Sequence, residues 1–67
     1  MTALKSSNLD GCDYDTASKT LTVHFKTGSS YSYADVPAHI HDGLCNAQSP
    51  GSYFARVIRG SYPATKL

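Results

Sequence analysis

A chain of 67 residues with a formal net charge of +1 is expected to form one domain, spanning 1–67, around one core. A chain this short buries only about 60% of the surface its unfolded form exposes, so stability is thin and self-association into a homo-oligomer is expected to add buried area. The near balance of six Lys and Arg against five Asp and Glu excludes the strong basic excess of a module that grips long duplex. No stretch approaches the ~18 apolar residues of a membrane span, and MTALKSSNLD holds no run of signal-peptide length, so no membrane partner and a cytoplasmic location are expected.

The first element is a weak strand over residues 8–14. Leu9, Cys12 and Tyr14 do not keep strict alternation, which suggests a bulge at Gly11. Asp15 to Ser18 is rich in turn formers and connects to a second strand over 19–26. Here Leu21, Val23 and Phe25 alternate with Thr20, Thr22, His24 and Lys26, a period of two with an apolar face. Thr27-Gly28 predicts a two-residue hairpin turn. Ser30-Tyr31-Ser32-Tyr33 alternates again in a third strand over 29–34, with its aromatic face able to pair with Phe25 and Val23.

The period then changes. Asp35 is expected as an N-cap, with Pro37 in the first turn of a helix over 36–47. Val36, Ile40, Leu44 and Ala47 recur at spacings of four, four and three, one helical stripe. Ser49-Pro50-Gly51 breaks that helix, and Ser49 is expected to cap a second over 50–59 with Pro50 at its first position. Phe54, Val57 and Ile58 form its apolar face, and Gly60 ends it. The expected fold is α+β: a three-stranded antiparallel meander followed by two short helices packed on one sheet face. Leu21, Val23, Phe25, Ile40, Leu44, Phe54 and Ile58 are the expected core.

The chemistry-bearing residues form several candidate groups. His39 and His41 lie two apart, whereas a helical zinc pair needs i, i+4 spacing, so with His24 they are expected as solvated surface histidines with no metal. His41 and Cys45 are four apart on one helical face, but no oxyanion loop accompanies them and only Asp42 is near to orient the histidine, so no catalysis is expected. A Cys12–Cys45 disulfide would be the one possible bridge. Two cysteines make no disulfide framework, and reduced, half-buried thiols are expected. Tyr31 and Tyr33 share one strand face. They complete the core beneath the helices or offer a stacking platform to bases. Arg56 and Arg59, three apart, are expected on one side of the second helix, where guanidinium forks suit phosphate. The Ser49–Ser52 turn adds free backbone N–H groups at a helix start. Tyr53 and Tyr62 complete the expected ligand-binding set of Arg56, Arg59, Tyr31, Tyr33, Ser49, Gly51, Tyr53 and Tyr62.

The ordered set Ser6-Ser7, Tyr14-Asp15, Leu21 with Val23, Phe25 and Gly28, Tyr31-Ser32-Tyr33, Val36-Pro37, Ala47 with Ser49 and Gly51, and Ile58-Arg59 resembles the KTSC domain, from about Lys5 to Tyr62. That family is named for the C-terminus of some lysyl-tRNA synthetases and also occurs as single-domain proteins of bacteria and phages. The resemblance implies RNA binding, which has been suggested for the family. This chain departs from the usual apolar first strand at Gly11-Cys12-Asp13. The combined expectation is a non-enzymatic binding module without a cofactor, for RNA or a phosphate-bearing nucleotide, including sequestration of a signalling nucleotide by a phage protein. The alternative is a protein–protein interaction or self-assembly module.

Overall fold

The computed structural model describes residues 1–67. Five antiparallel strands form one sheet in chain order, β1 (Thr2–Ala3), β2 (Leu9–Asp15), β3 (Thr20–Phe25), β4 (Ser30–Tyr33) and β5 (Ala64–Lys66). Helix α1 (Ala38–Asn46) and helix α2 (Pro50–Tyr53) follow β4, and α2 runs directly into a π-helical segment, Phe54–Ile58. The α+β class and the central three-stranded meander agree with the sequence reading. The count of three strands does not: β1 and β5 add one edge each. Both are fully exposed and only two and three residues long, so neither carries an alternation to read. Backbone hydrogen bonding recruits them.

The apolar alternation sets the register. Leu21 pairs with Tyr14 and Tyr33, and Val23 pairs with Cys12 and Tyr31, so these side chains share the inner face. In β2 the register shifts between Leu9 and Gly11. The extra residue, Asp10, lets Leu9, Cys12 and Tyr14 all face inward despite their odd spacing. Gly11 itself lies under β1: a Cβ there would come within 2.6 Å of the Thr2 carbonyl oxygen. The β3–β4 connection is longer than the expected two-residue turn. Gly28 N–H donates to the Phe25 carbonyl at 3.0 Å and Phe25 N–H to the Ser29 carbonyl at 2.8 Å. With Gly28 at φ +96°, this is the three-residue loop closed by a glycine bulge.

Helix α1 starts at Ala38 rather than at Val36, and its N-cap is Pro37, not Asp35. Pro37 holds the residue before it out of the helical region. Asp35 takes φ +58°, which turns the chain so that Val36 N–H reaches the Lys19 carbonyl at 2.9 Å. Ser49 does occupy the α2 N-cap position, with Pro50 at the start, but its side chain makes no capping bond.

The core consists of Leu4, Leu9, Cys12, Leu21, Val23, Tyr33, Val36, Leu44, Phe54 and Ile58. Five of the seven expected core residues are there. Phe25 and Ile40 are only partly buried and pack against its margin, Phe25 because it ends its strand beside the open loop. Tyr14 ties the connection to the sheet, donating its hydroxyl to the Val36 carbonyl at 2.5 Å.

Candidate functional site

Three of the expected ligand residues meet in one place. An open cavity of about 380 Å³ is lined by Phe25, Tyr31, Tyr33, Phe54, Arg59, Gly60 and Ala64. The strand period puts Phe25, Tyr31 and Tyr33 on the face that the π-helical segment covers with Phe54. Their rings interlock edge to face, Phe25 with Tyr31 and Phe54, and Tyr33 with Phe54, each pair with centroids 5.6 Å apart. Gly60, at φ +83°, reverses the chain from the helix toward β5. Arg59 stands just before that reversal, exposed. Tyr33 is 4% exposed. Burial raises its phenol pKa, as does the neighbouring Tyr31, while the Arg59 guanidinium lowers it. The cleft therefore offers an aromatic floor and one guanidinium at its rim.

The other expected residues lie elsewhere. Arg56 bonds through Nε to the Ser52 hydroxyl at 3.3 Å and takes no part in lining the cleft. The spacing of three that would align it with Arg59 in an α-helix fails here. Arg59 N–H bonds to the Phe54 carbonyl five residues back, at 2.9 Å, and this wider winding no longer stacks positions three apart. Tyr53 packs against α1, its ring over Gly43 and its hydroxyl donating to the Ile40 carbonyl at 3.3 Å. Ser49 and Gly51 sit at the start of α2, with Gly51 beside the Ser6 hydroxyl. Tyr62 is partly buried against the core.

Two further groups emerge. The side chains of Asp13, His24 and Ser30 form a relay on the outer sheet face, with His24 Nε2 2.8 Å from Asp13 Oδ2 and His24 Nδ1 2.8 Å from Ser30 Oγ. The order of groups is that of a hydrolase triad, but none of the three cavities borders His24. The relay is a cross-strand polar ladder.

On the inner face, Cys12, His41 and Cys45 bring their ligand atoms within 4.8 Å of one another. Cys45 Sγ is 3.3 Å from His41 Nε2. The His41 ring stacks on Tyr14, centroids 4.8 Å apart at 9°. Burial, then the adjacent Cys45 thiol, pushes the Cys12 thiol up to about 12. The expectation of solvated histidines thus fails for His24 and His41, which are both partly buried and partnered; His39 is exposed. Both cysteines are free; Cys45 is half-buried as expected, whereas Cys12 is fully buried. The His41–Cys45 spacing was legible, but the arrival of Cys12 was not, because it depends on the bulge and on how α1 crosses β2.

Comparison with known proteins agrees with this architecture. The chain matches the KTSC domain over residues 5–62. It is 39% identical over 54 residues to a lysine–tRNA ligase of Trichormus variabilis, covering 81% of this chain and 10% of the ligase. It thus spans about a tenth of the length of that relative. A protein of Tsukamurella paurometabola is 30% identical over 67 residues, with full coverage of both. The crystal structure of a KTSC domain protein from Yersinia pestis superposes with a TM-score of 0.92 at 30% identity, covering 98% of this chain and 93% of that one. By sequence along most of its length and by fold, the chain belongs to the KTSC domain family.

Proposed function

We propose that this chain is a non-enzymatic binding module whose ligand combines an aromatic base with a phosphate, a short single-stranded RNA or a nucleotide. The observation that carries this reading is the aromatic cleft with Arg59 at its rim. Bases stack on aromatic side chains for about 1–3 kcal/mol each, with little regard to sequence, and a guanidinium meets phosphate oxygens with two parallel donors. Relatives in which such a segment accompanies a lysine–tRNA ligase favour RNA as the source of the base. The near-neutral chain and the single guanidinium at the cleft favour a compact ligand over a long duplex.

Titration with a short single-stranded RNA and with nucleoside monophosphates, followed by amide chemical shifts, tests the reading. Arg59→Ala should weaken binding on the order of tenfold, about 1.4 kcal/mol, with the fold retained because Arg59 is exposed. Arg56→Ala should leave affinity within about twofold, since that side chain is turned to Ser52. A salt slope near one phosphate neutralised should accompany binding. No shift at Tyr31, Phe25 or Arg59 with any of these ligands would replace the reading with a protein contact at the same cleft.

A further inference from the structure

The Cys12–His41–Cys45 cluster is remote in chemistry from the aromatic cleft and shares no residue with it. We propose that these three side chains are a binding site for a thiophilic divalent cation, Zn²⁺, with two thiolates and one imidazole as ligands.

The ligand set is right for zinc, which takes cysteine sulfur and histidine nitrogen in tetrahedral sites. The spacing is also near what the ion demands. Zn–S bonds of about 2.3 Å and Zn–N bonds of about 2.0 Å place tetrahedral ligand atoms roughly 3.5–3.8 Å apart. Here all three atoms lie within 4.8 Å, and the Cys45–His41 edge is already 3.3 Å. Shifts of an ångström or less at side-chain torsions close the set.

Each ligand is held by a different device. Cys12 is fully buried on β2, between β1 and β3. His41 and Cys45 are an i, i+4 pair on one face of α1. Tyr14, two residues along β2 from Cys12 and on the same face, stacks flat on the imidazole and fixes its plane. The Asp42 carboxylate lies 3.7 Å from His41 Nδ1. At that distance the carboxylate is a charged neighbour and not a hydrogen-bond partner, and it is Nε2, 3.3 Å from the Cys45 sulfur, that faces the other two ligands. Cys45 also borders a cavity of about 360 Å³ beside Leu4, Lys5 and Gln48, so the cluster is reached from the surface on the Cys45 side. Binding forms two Zn–S bonds and one Zn–N bond, and the two thiol protons pass to solvent with no change of oxidation state.

Cobalt(II) tests the site directly. Added to fully reduced protein, it should bind one per chain, with thiolate-to-cobalt charge-transfer absorption and the intense d–d bands of tetrahedral coordination, and zinc should displace it. Cys45→Ser should lose part of the charge-transfer intensity and weaken zinc at least tenfold in competition with a chromophoric chelator. Replacing buried Cys12 endangers the fold, so Cys45→Ser and His41→Gln carry the test, with circular dichroism to establish folding. Cobalt that stays octahedral, or equal zinc affinity in wild type and both variants, overturns the proposal. So does a reduced protein that binds no cobalt yet forms a Cys12–Cys45 disulfide in air, which would make the thiols a redox pair.

Discussion

Asp15 closes the β2–β3 turn with its carboxylate, which accepts the backbone N–H of Ala17 at 2.9 Å and of Ser18 at 3.4 Å. Those bonds, Ala17's first, hold its pKa below the ordinary aspartate range. A depressed folded-state pKa means that the stabilisation is present above the unfolded pKa, near pH 4, and is lost as pH falls through the folded value. Asp15→Ala should therefore be less stable than wild type at pH 7, with the two denaturation midpoints converging as the pH drops below about 4. Midpoints that stay equally far apart at acid pH would show that the turn's bonds owe nothing to the charge. The role of Asp15 was legible as turn chemistry from Asp15 to Ser18. The role of Arg56 was not: its pairing with Arg59 assumed α-helical winding, and the five-residue backbone bond from Arg59 to Phe54 turns the two apart.

Helices are held to each other at one point that propensity alone misjudges. Gly43 lies inside α1, where glycine ordinarily costs up to about 1 kcal/mol relative to alanine. The Tyr53 ring covers it so closely that a Cβ would collide with the phenol, which also bonds to the Ile40 carbonyl. Gly43→Ala should accordingly destabilise the domain by about 1–3 kcal/mol through overpacking, despite the better helix former. Urea denaturation measures this, and a raised midpoint would show that Tyr53 can swing away at no cost. At this scale β3 was the most legible element, because its period of two survives intact. The edge strands β1 and β5 were invisible, having exposed side chains and only backbone pairing to define them.

Considered whole, the molecule has a ten-residue core and two sheet edges too short to template another chain. Its large exposed hydrophobics are Met1 and Leu67, at the termini. No helix is long and apolar enough to cross a membrane. For the self-association expected from the chain's length, we propose the aromatic cleft as the surface that would carry it. Light scattering across a wide concentration range should show a mass above the monomer that falls when a bound nucleotide occupies the cleft. Monomer mass throughout would leave the cleft free for ligand alone. The sequence by itself determined the α+β class, the inner face of β3, the break at Ser49-Pro50-Gly51 and the family resemblance. All of these rest on local periodicity, turn chemistry or residue order along the chain. Only the tertiary structure decided that Arg59 rather than Arg56 meets the tyrosines, that Tyr53 is committed to α1, and that Cys12 joins His41 and Cys45. Those outcomes depend on helix winding, a strand bulge and the crossing of α1 over β2, which bring together residues up to 33 positions apart in a chain of 67 and leave no pattern within any one segment.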